Sequence, residues 1–263
     1  YPVVLKPTDG SFGKGVVANI TSDGEMTYSI DYVRHELGYK DVIVEKYIPG
    51  EDLRLYVVNN EVVGAIKRIP PHVIGDGINS IEALIELKNE ERRLSPRLSS
   101  CLIETNKELI DYVGRHGYTL NTVPEKGECV FLSERANISL GGDPVDVFDE
   151  LSNKIKEIAV KALKAVPGLV HGAVDILLYK DEETNEERGY VIELNPTSQL
   201  GGILYPVKGK ARDVPAAIID YYFPETKGRR LDNEKIYFDL FDVLEPLQSR
   251  QAHVSTVTPS PQG

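Results

Sequence analysis

His171-Gly-Ala-Val-Asp175 and Tyr190-Val-Ile-Glu193-Leu-Asn195-Pro196 are the two stretches that decide how this chain is read. Their β-branched and aromatic runs predict strands at Val174–Leu178 and Tyr190–Leu194, and the polar run Lys180–Gly189 predicts the loop that joins them. Strand residues two apart share a face, so Glu193 and Asn195 point the same way, and an antiparallel neighbour adds Asp175 to that side. Two carboxylates and an amide oxygen make an all-oxygen donor set. Such a set suits hard Mg²⁺, which keeps its remaining positions for water and phosphate. Any one of the three is most simply a solvated polar residue on a sheet; the set of three points to metal.

Outward toward the start of the chain lies Lys6-Pro-Thr-Asp-Gly-Ser-Phe-Gly-Lys-Gly-Val16. A strand at Val3–Leu5 delivers a lysine, and three glycines follow within six positions. Glycine lets backbone N–H groups come close to an anion, and a concave run of such donors suits phosphate oxygens. The loop is not a Walker motif: Thr8 stands where its first glycine belongs, and Gly15 where Ser or Thr would bind magnesium. A bare turn also explains Gly10 and Gly13. Next, Val44-Glu-Lys-Tyr-Ile-Pro-Gly-Glu-Asp-Leu-Arg54 alternates polar and apolar residues as it leaves a strand, and reads as a hinge facing an adenine edge or as an exposed charged hairpin.

The remaining pattern predicts an α+β protein. Strands are expected at Val16–Ile20 and Val42–Lys46, with a helix-compatible stretch at Ile30–Leu37 between them. Leu53–Val58 and Val62–Arg68 flank Asn59-Asn60-Glu61 as a hairpin. Ser80 caps a helix to about Lys88, the charged segment Glu90–Ser100 reads as a mobile excursion, and a second helix runs from Thr105 to about Arg115. The strongest helical period spans Asp146 to about Ala165, with Val147, Leu151, Ile155, Ile158, Ala159, Ala162 and Leu163 on one face and Pro167-Gly168 as the stop. Ala216–Tyr222 predicts a short helix, and the Ser-, Thr-, Pro- and Gln-rich end from about Ser249 is expected to be loose.

Composition narrows the function. Of 263 residues, 41% are hydrophobic and 27% charged, which fits a globular chain and excludes wholesale disorder. A net charge of −11 argues against a general nucleic-acid binder, since neutralising phosphates needs a basic face. No apolar run approaches a membrane span. Cys101 and Cys129, with no CxxC pair, fit reduced thiols in a cytoplasm. The chain opens at Tyr1 inside an apolar run and its one methionine is Met26, so we expect a piece of a longer protein.

The lysine before a glycine-rich loop, the Glu45-Lys-Tyr-Ile48 hinge and the Asp175…Glu193-x-Asn195 set, in that order, resemble an ATP-grasp ligase. The chain is similar to the ATP-grasp regions of cyanophycin synthetases and fused γ-glutamylcysteine–glutathione synthetases. That likeness also takes in Ala65-Ile-Lys-Arg-Ile-Pro-Pro-His-Val-Ile-Gly-Asp-Gly77, Ala136-Asn-Ile-Ser-Leu-Gly-Gly-Asp143 and Gly209-Lys-Ala-Arg-Asp213, about residues 1–225. It implies an ATP-grasp α+β fold of two subdomains clamping the nucleotide: a lid over 1–46 and a core over 47–230 with the metal site, followed by an extension over 231–263.

By the same resemblance Lys6 binds ATP phosphates, and Asp9–Gly15, including Gly10, Ser11, Phe12, Gly13 and Lys14, closes over them. Glu45, Lys46, Tyr47 and Ile48 line the adenine pocket and Asp52 takes the ribose. Asp175, Glu193 and Asn195 hold two Mg²⁺ ions, with Mn²⁺ as an alternative. Lys67, Arg68, Arg135, Asn137 and the Gly141-Gly142 turn surround the γ-phosphate and the acyl phosphate. The implied reaction joins a small carboxylate to an amine with release of ADP and phosphate, on an amino acid or short peptide. A nucleotide-binding scaffold without catalysis, and a kinase or carboxylase of the same fold, are the alternatives. No nucleic acid or membrane partner is implied, and self-association is left open.

Three departures stand out. Relatives often carry an arginine where this chain has Ser133, with Arg135 close by. Pro196-Thr-Ser-Gln-Leu-Gly-Gly202 replaces the usual Pro-Gly turn on the substrate side. The family's N-terminal domain, with its own ATP-contacting lysine, is absent from this stretch. His171, four residues before Asp175, reads most simply as a strand-entry histidine with a local hydrogen bond, the alternative being a substrate-orienting role. His72 and His116 lack partners at metal-ligand spacing, and the acidic run Asp181–Glu187 reads as a solvated loop.

Overall fold

The computed structural model describes residues 1–227 except 10–12 and 182. Gly10, Ser11, Phe12 and the 231–263 extension therefore lie outside the described residues.

The first unit is a three-stranded antiparallel sheet in the order β2-β1-β3, built from β1 (Val3–Pro7), β2 (Val17–Ile20) and β3 (Val42–Lys46). One helix covers it, α1 (Asp23–Asp31), which runs on into a π turn at Tyr32–Glu36. Leu5, Ile20 and Val33 are buried between sheet and helix. The helix begins earlier than the expected Ile30–Leu37. Its start is set by Ser22, whose hydroxyl accepts from the Glu25 N–H, while the Glu25 carboxylate accepts from Thr21. Reciprocal capping of this kind needs no apolar period, which is why the hydrophobic pattern understated the element.

The second unit is a five-stranded antiparallel sheet in the order β10-β9-β4-β5-β8. Its strands are β4 (Glu51–Val58), β5 (Glu61–Ile69), β8 (Asp143–Asp146), β9 (His171–Lys180) and β10 (Glu187–Asn195). Strand alternation sends Leu53, Leu55, Val57, Val174 and Ile176 to one face, where Ile155, Ala159 and Leu163 of α4 (Asn153–Lys164) pack on them. All three of those α4 side chains are fully buried. Helix α4 starts later than the expected Asp146, because Asp143–Asp146 pair with β5 instead. Val147 and Leu151, read as its first turns, reach the same core from the connecting segment. The other face carries Tyr56, Ile66 and Ala173 against α5 (Gly201–Leu204) and α6 (Val214–Tyr222), through Ile203 and Val214.

A third core joins α2 (Ile81–Leu94), α3 (Lys107–Arg115) and the ribbon of β6 (His72–Ile74) and β7 (Cys129–Phe131). Here the expected mobile excursion at Glu90–Ser100 is overturned. Helix α2 continues to Leu94 because two of its polar residues, Asn89 and Arg92, are bonded inside the protein, while Glu90, Glu91 and Arg93 stay exposed. The buried Arg92 ion-pairs with the buried Asp143 at 2.6 Å and donates to the carbonyls of Cys101 and Gly142. Asn89 closes a two-way bond with the backbone of Ile103. A charged sequence reads as solvated, yet these charges are paired and fully bonded, the condition under which burial is tolerated.

Candidate active site

The half of the central sheet that faces away from α4 ends in a cluster of charges. Arg54 and Asp175 are cross-strand partners in β4 and β9, and Glu193 of β10 pairs with Asp175 from the other side. The register of β4 with β5 brings Arg68 to the same face, beside Asp52. Arg54 Nε and Nη2 donate to the two oxygens of Asp175, both at 2.7 Å. Arg68 lies 3.0 Å from Asp175 Oδ2 and donates from Nε to Asp52 Oδ1 at 2.7 Å. Asn195 donates to Glu193 Oε1 at 3.0 Å, and that oxygen is 3.9 Å from Arg54 Nη2.

Burial and charge work against each other in this cluster, and the winner differs by residue. Burial alone would raise the Asp175 carboxyl, but the Arg54 hydrogen bonds and the charges of Arg68 and Arg54 outweigh it and hold it below the usual aspartate range. Asp52 goes the other way: burial pushes it up, helped by the nearby Asp175 charge, and the Arg68 ion pair with the Arg54 charge does not compensate. Tyr56, two residues beyond Arg54 on the same face, is also raised by burial.

The expected metal set is thus brought together, with Asp175 and Glu193 opposed across two strands and Asn195 next along β10. Among the described residues no cluster of three His, Cys, Asp or Glu side chains is placed to hold a metal, so a cation here needs the Asn195 amide as a donor. The chemistry of the set fits one. Asn195 turns its amide nitrogen to Glu193, which leaves Oδ1 as its acceptor atom. Asp175 Oδ2 is shared by two guanidiniums, whereas Oδ1 accepts from Arg54 Nε, and a carboxylate oxygen has two lone pairs.

Lys67 does not join this cluster. Residue 67 pairs with Leu53 across the strands and so points to the α4 face, where its ammonium pairs with Glu51. Lys67 and Arg68, expected together around the γ-phosphate, therefore project to opposite faces of the sheet, since neighbours on a strand do not share a side. That face also holds an open cleft of about 570 Å³ bounded by Pro49, Gly50, Leu53, Leu151 and Leu178. It shares no residue with the charged cluster.

In the lid sheet, Lys6 ion-pairs with Glu45, one strand over. Glu45 faces Val4 and Lys46 faces Val3, so these two hinge residues project to opposite sides. Tyr47 donates its backbone N–H to Pro2 O at 3.2 Å, and Ile48 is half-buried beside it. Gly13 and Gly15 have φ of +71° and +79°, a backbone region that favours glycine. Lys14 between them is exposed. The loop touches the core through Arg135, which donates to Gly13 O at 3.3 Å and ion-pairs with Glu108 of α3. Asn137 lies within reach of Gly13 and accepts from the Ser139 N–H at 2.9 Å, capping the turn into Gly141-Gly142. A side chain at Gly142 would collide with the carbonyls of Asn137 and Ile69.

Sequence reasoning passed over Arg54, Tyr56 and Arg97. The signal for the first two was present: Asp52, Arg54 and Tyr56 alternate on one strand and so share a face. Arg97 gave none, since it lies in the segment read as mobile.

A sheet carrying an acid-x-Asn edge, opposed by a small lid sheet whose first strand delivers a lysine, has a close counterpart among solved structures. The crystal structure of a bifunctional glutathione synthetase from Pasteurella multocida superposes with a TM-score of 0.62 at 27% identity, over 85% of this chain and 31% of that one. The chain has an ATP-grasp fold. Residues 1–75 of this ATP-grasp chain match the RimK-like ATP-grasp domain family. It is 32% identical over 234 residues to the cyanophycin synthetase of Synechocystis, covering 88% of this chain and 27% of that protein. It is 30% identical over 227 residues to the glutathione biosynthesis bifunctional protein of Clostridium perfringens, covering 84% and 29% respectively. The chain thus spans little more than a quarter of the curated relatives it matches. Among its described residues no helix is long and apolar enough to cross a membrane.

Proposed function

We propose that this ATP-grasp chain is the nucleotide-binding and bond-forming part of an ATP-dependent carboxylate–amine ligase acting on an amino acid or short peptide. One observation carries the reading: Asp175, Glu193 and Asn195 share one sheet face with Arg54 and Arg68. The names of the relatives, a cyanophycin synthetase and a glutathione-forming protein, support the same class of chemistry.

In this reading Asp175, Glu193 and Asn195 would hold two Mg²⁺ ions, with Mn²⁺ able to serve instead, and the ions would supply charge neutralisation on the transferred phosphoryl group. The chain's own residues do the rest. Arg68 and Arg54 present guanidinium donors beside the metal carboxylates, where charge accumulates as the phosphoryl group passes to a substrate carboxylate. Lys6 exchanges Glu45 for a distal phosphate, and Gly13–Gly15 close over it with Arg135 anchoring the loop. Glu45, Tyr47 and Ile48 meet the adenine, and Asp52 accepts from the ribose. An amine then displaces phosphate from the acyl phosphate, and a closed lid keeps water from doing so first.

Two further parts belong to this proposal. Additional protein outside these residues contributes to the substrate pocket, in keeping with the greater length of the relatives. The setting is the cytoplasm, where the buried Cys101 and exposed Cys129, both free thiols, stay reduced. The test is phosphate release by the full-length parent protein against a panel of amino acids and short peptides. ADP and phosphate that appear only with an amine present support ligation. AMP and pyrophosphate, or ADP independent of any amine, overturn it.

A further inference from the structure

Six described arginines are partly or fully buried: Arg54, Arg68, Arg92, Arg97, Arg135 and Arg212. Five of them have a carboxylate partner, namely Asp175, Asp52, Asp143, Glu108 and Asp146 in turn. Arg97 has none among the described residues. Its guanidinium donates to Cys101 Sγ at 2.8 Å, Gln199 Oε1 at 2.8 Å and Ser139 Oγ at 3.5 Å, none of them a carboxylate. Those three contacts use three of its five N–H donors. In a chain of net charge −11, a half-buried guanidinium with no carboxylate partner among the described residues is conspicuous, because withdrawing a charge from water is costly unless it is paired.

Its place is built rather than incidental. The Arg97 stem lies across Gly201, where a Cβ would overlap Arg97 Cδ, so the glycine makes room for the arginine. Gln199 belongs to the Pro196–Gly202 turn that follows Asn195, and its carbonyl accepts from Tyr56 Oη at 2.8 Å. Ser139 belongs to the turn that Asn137 caps. Arg97 therefore ties together the two turns that flank the charged cluster. Tyr56 is two strand residues from Arg54, roughly 7 Å along the sheet. A phosphate or a carboxylate being activated belongs with Arg54, Arg68 and the metal set. An anion at Arg97 is a different group, farther along the same face.

We infer that Arg97 binds a second, unreacting carboxylate of the substrate, so that the ligase takes an amino-acid-type substrate with a free carboxyl group in preference to its amide. The planar guanidinium fork suits a carboxylate, and Gln199 holds it in line while contributing no charge of its own. This inference rests on the ligase reading above and adds the substrate's second anchor.

The test titrates the full-length parent protein, saturated with MgADP, with each L-α-amino acid and with the matching carboxamide. At least one acid should bind roughly 10–100-fold tighter than its amide, the range expected for a charge-assisted pair. Arg97→Met should bring that acid down to the level of its amide while MgADP affinity stays unchanged. Gln199→Glu keeps the guanidinium but gives it a resident carboxylate, and should abolish the same preference in a protein whose fold is not in question. Equal binding of acids and amides, no amino-acid binding, or an acid preference that survives both substitutions overturns the Arg97 assignment while MgADP binding leaves the ligase reading standing. Failure of MgADP to bind at all overturns both.

Discussion

Arg54 and Asp175 face each other directly across β4 and β9 and close a two-point ion pair, Nε to Oδ1 and Nη2 to Oδ2, both at 2.7 Å. Asp175 is 2% exposed, so this pair sits inside the sheet rather than on a rim. The same carboxylate that belongs to the proposed metal set is therefore also an organiser of the sheet. Its removal has to be read in two currencies, stability and activity.

Arg54→Met leaves Asp175 buried with Arg68 as its remaining partner. The cost should be about 3 kcal/mol, the lower end for breaking a buried pair, because the second guanidinium stays. Asp175→Asn should cost a similar amount. The double variant should be less destabilised than the two single costs combined, since neither charge is then left alone. Urea unfolding of the four proteins measures the coupling. Strict additivity would mean that the pair seen in the structure does not govern stability.

Arg68 and Lys67 make a sharper contrast, being adjacent in sequence and opposed in space. Arg68→Ala removes a donor from the cluster and should lower turnover by at least about 10²-fold, the scale for losing one transition-state donor. Lys67→Ala removes a half-exposed pair with Glu51 on the α4 face and should change turnover less than about twofold, with under about 1 kcal/mol of stability lost. Comparable losses in both would place Lys67 at the reaction centre after all.

The two strands of the metal set, the β4–β5 hairpin and the lid strands were legible because their apolar residues alternate or cluster between turn residues. Helix starts were not. At Ser22 and Asn153 the boundary is set by capping and by β8 pairing with β5, and neither leaves an apolar period. The α2 extension was hidden for another reason: Arg92 and Asn89 look solvated until Asp143 and Ile103, far along the chain, are brought to them. For the site, spacing grouped Asp175, Glu193 and Asn195, which the structure places together, but not which side of β5 faces them. Lys67 came to the site only through the family resemblance, which carries no information on which face of β5 it takes; the strand puts it opposite Arg68. Alternation puts Arg54 on the face of Asp52 and Tyr56, but the partner that ties it to the metal-candidate set, Asp175, is 121 residues away.

Asp52 offers a titration test. Its carboxyl is raised by burial despite the Arg68 pair, so ionising it opposes folding. The stability that the protonated group confers is complete below the ordinary aspartate value, about 3.9, and is lost as pH rises through the higher folded value. Asp52→Asn does not ionise, so its melting temperature relative to the parent should climb in the variant's favour from about pH 4 upward. A difference that stays flat, or that favours the parent at neutral pH, would show that Arg68 outweighs burial at this site.

Lys6 tests the lid. Its ammonium is held by Glu45 on the neighbouring strand, and in the proposed reaction it leaves that carboxylate for a distal phosphate. The exchange is favourable only if the phosphate carries more negative charge at the same reach than Glu45 does. The terminal phosphate of either nucleotide meets that condition, so reach decides: in this reading the lysine meets the γ-phosphate, which ADP lacks. Lys6→Ala should therefore weaken ATP binding more than ADP binding, by roughly 1.5–3 kcal/mol for a charge-assisted contact. Glu45→Gln should shift the balance the other way: it frees the lysine, so ATP should gain relative to ADP even if the adenine contact of residue 45 weakens both. Calorimetric titration of both nucleotides into the three proteins measures the two ratios. An equal loss for ATP and ADP in Lys6→Ala would move the lysine to the α-phosphate or the adenine side, and no loss would leave it as one half of a surface ion pair.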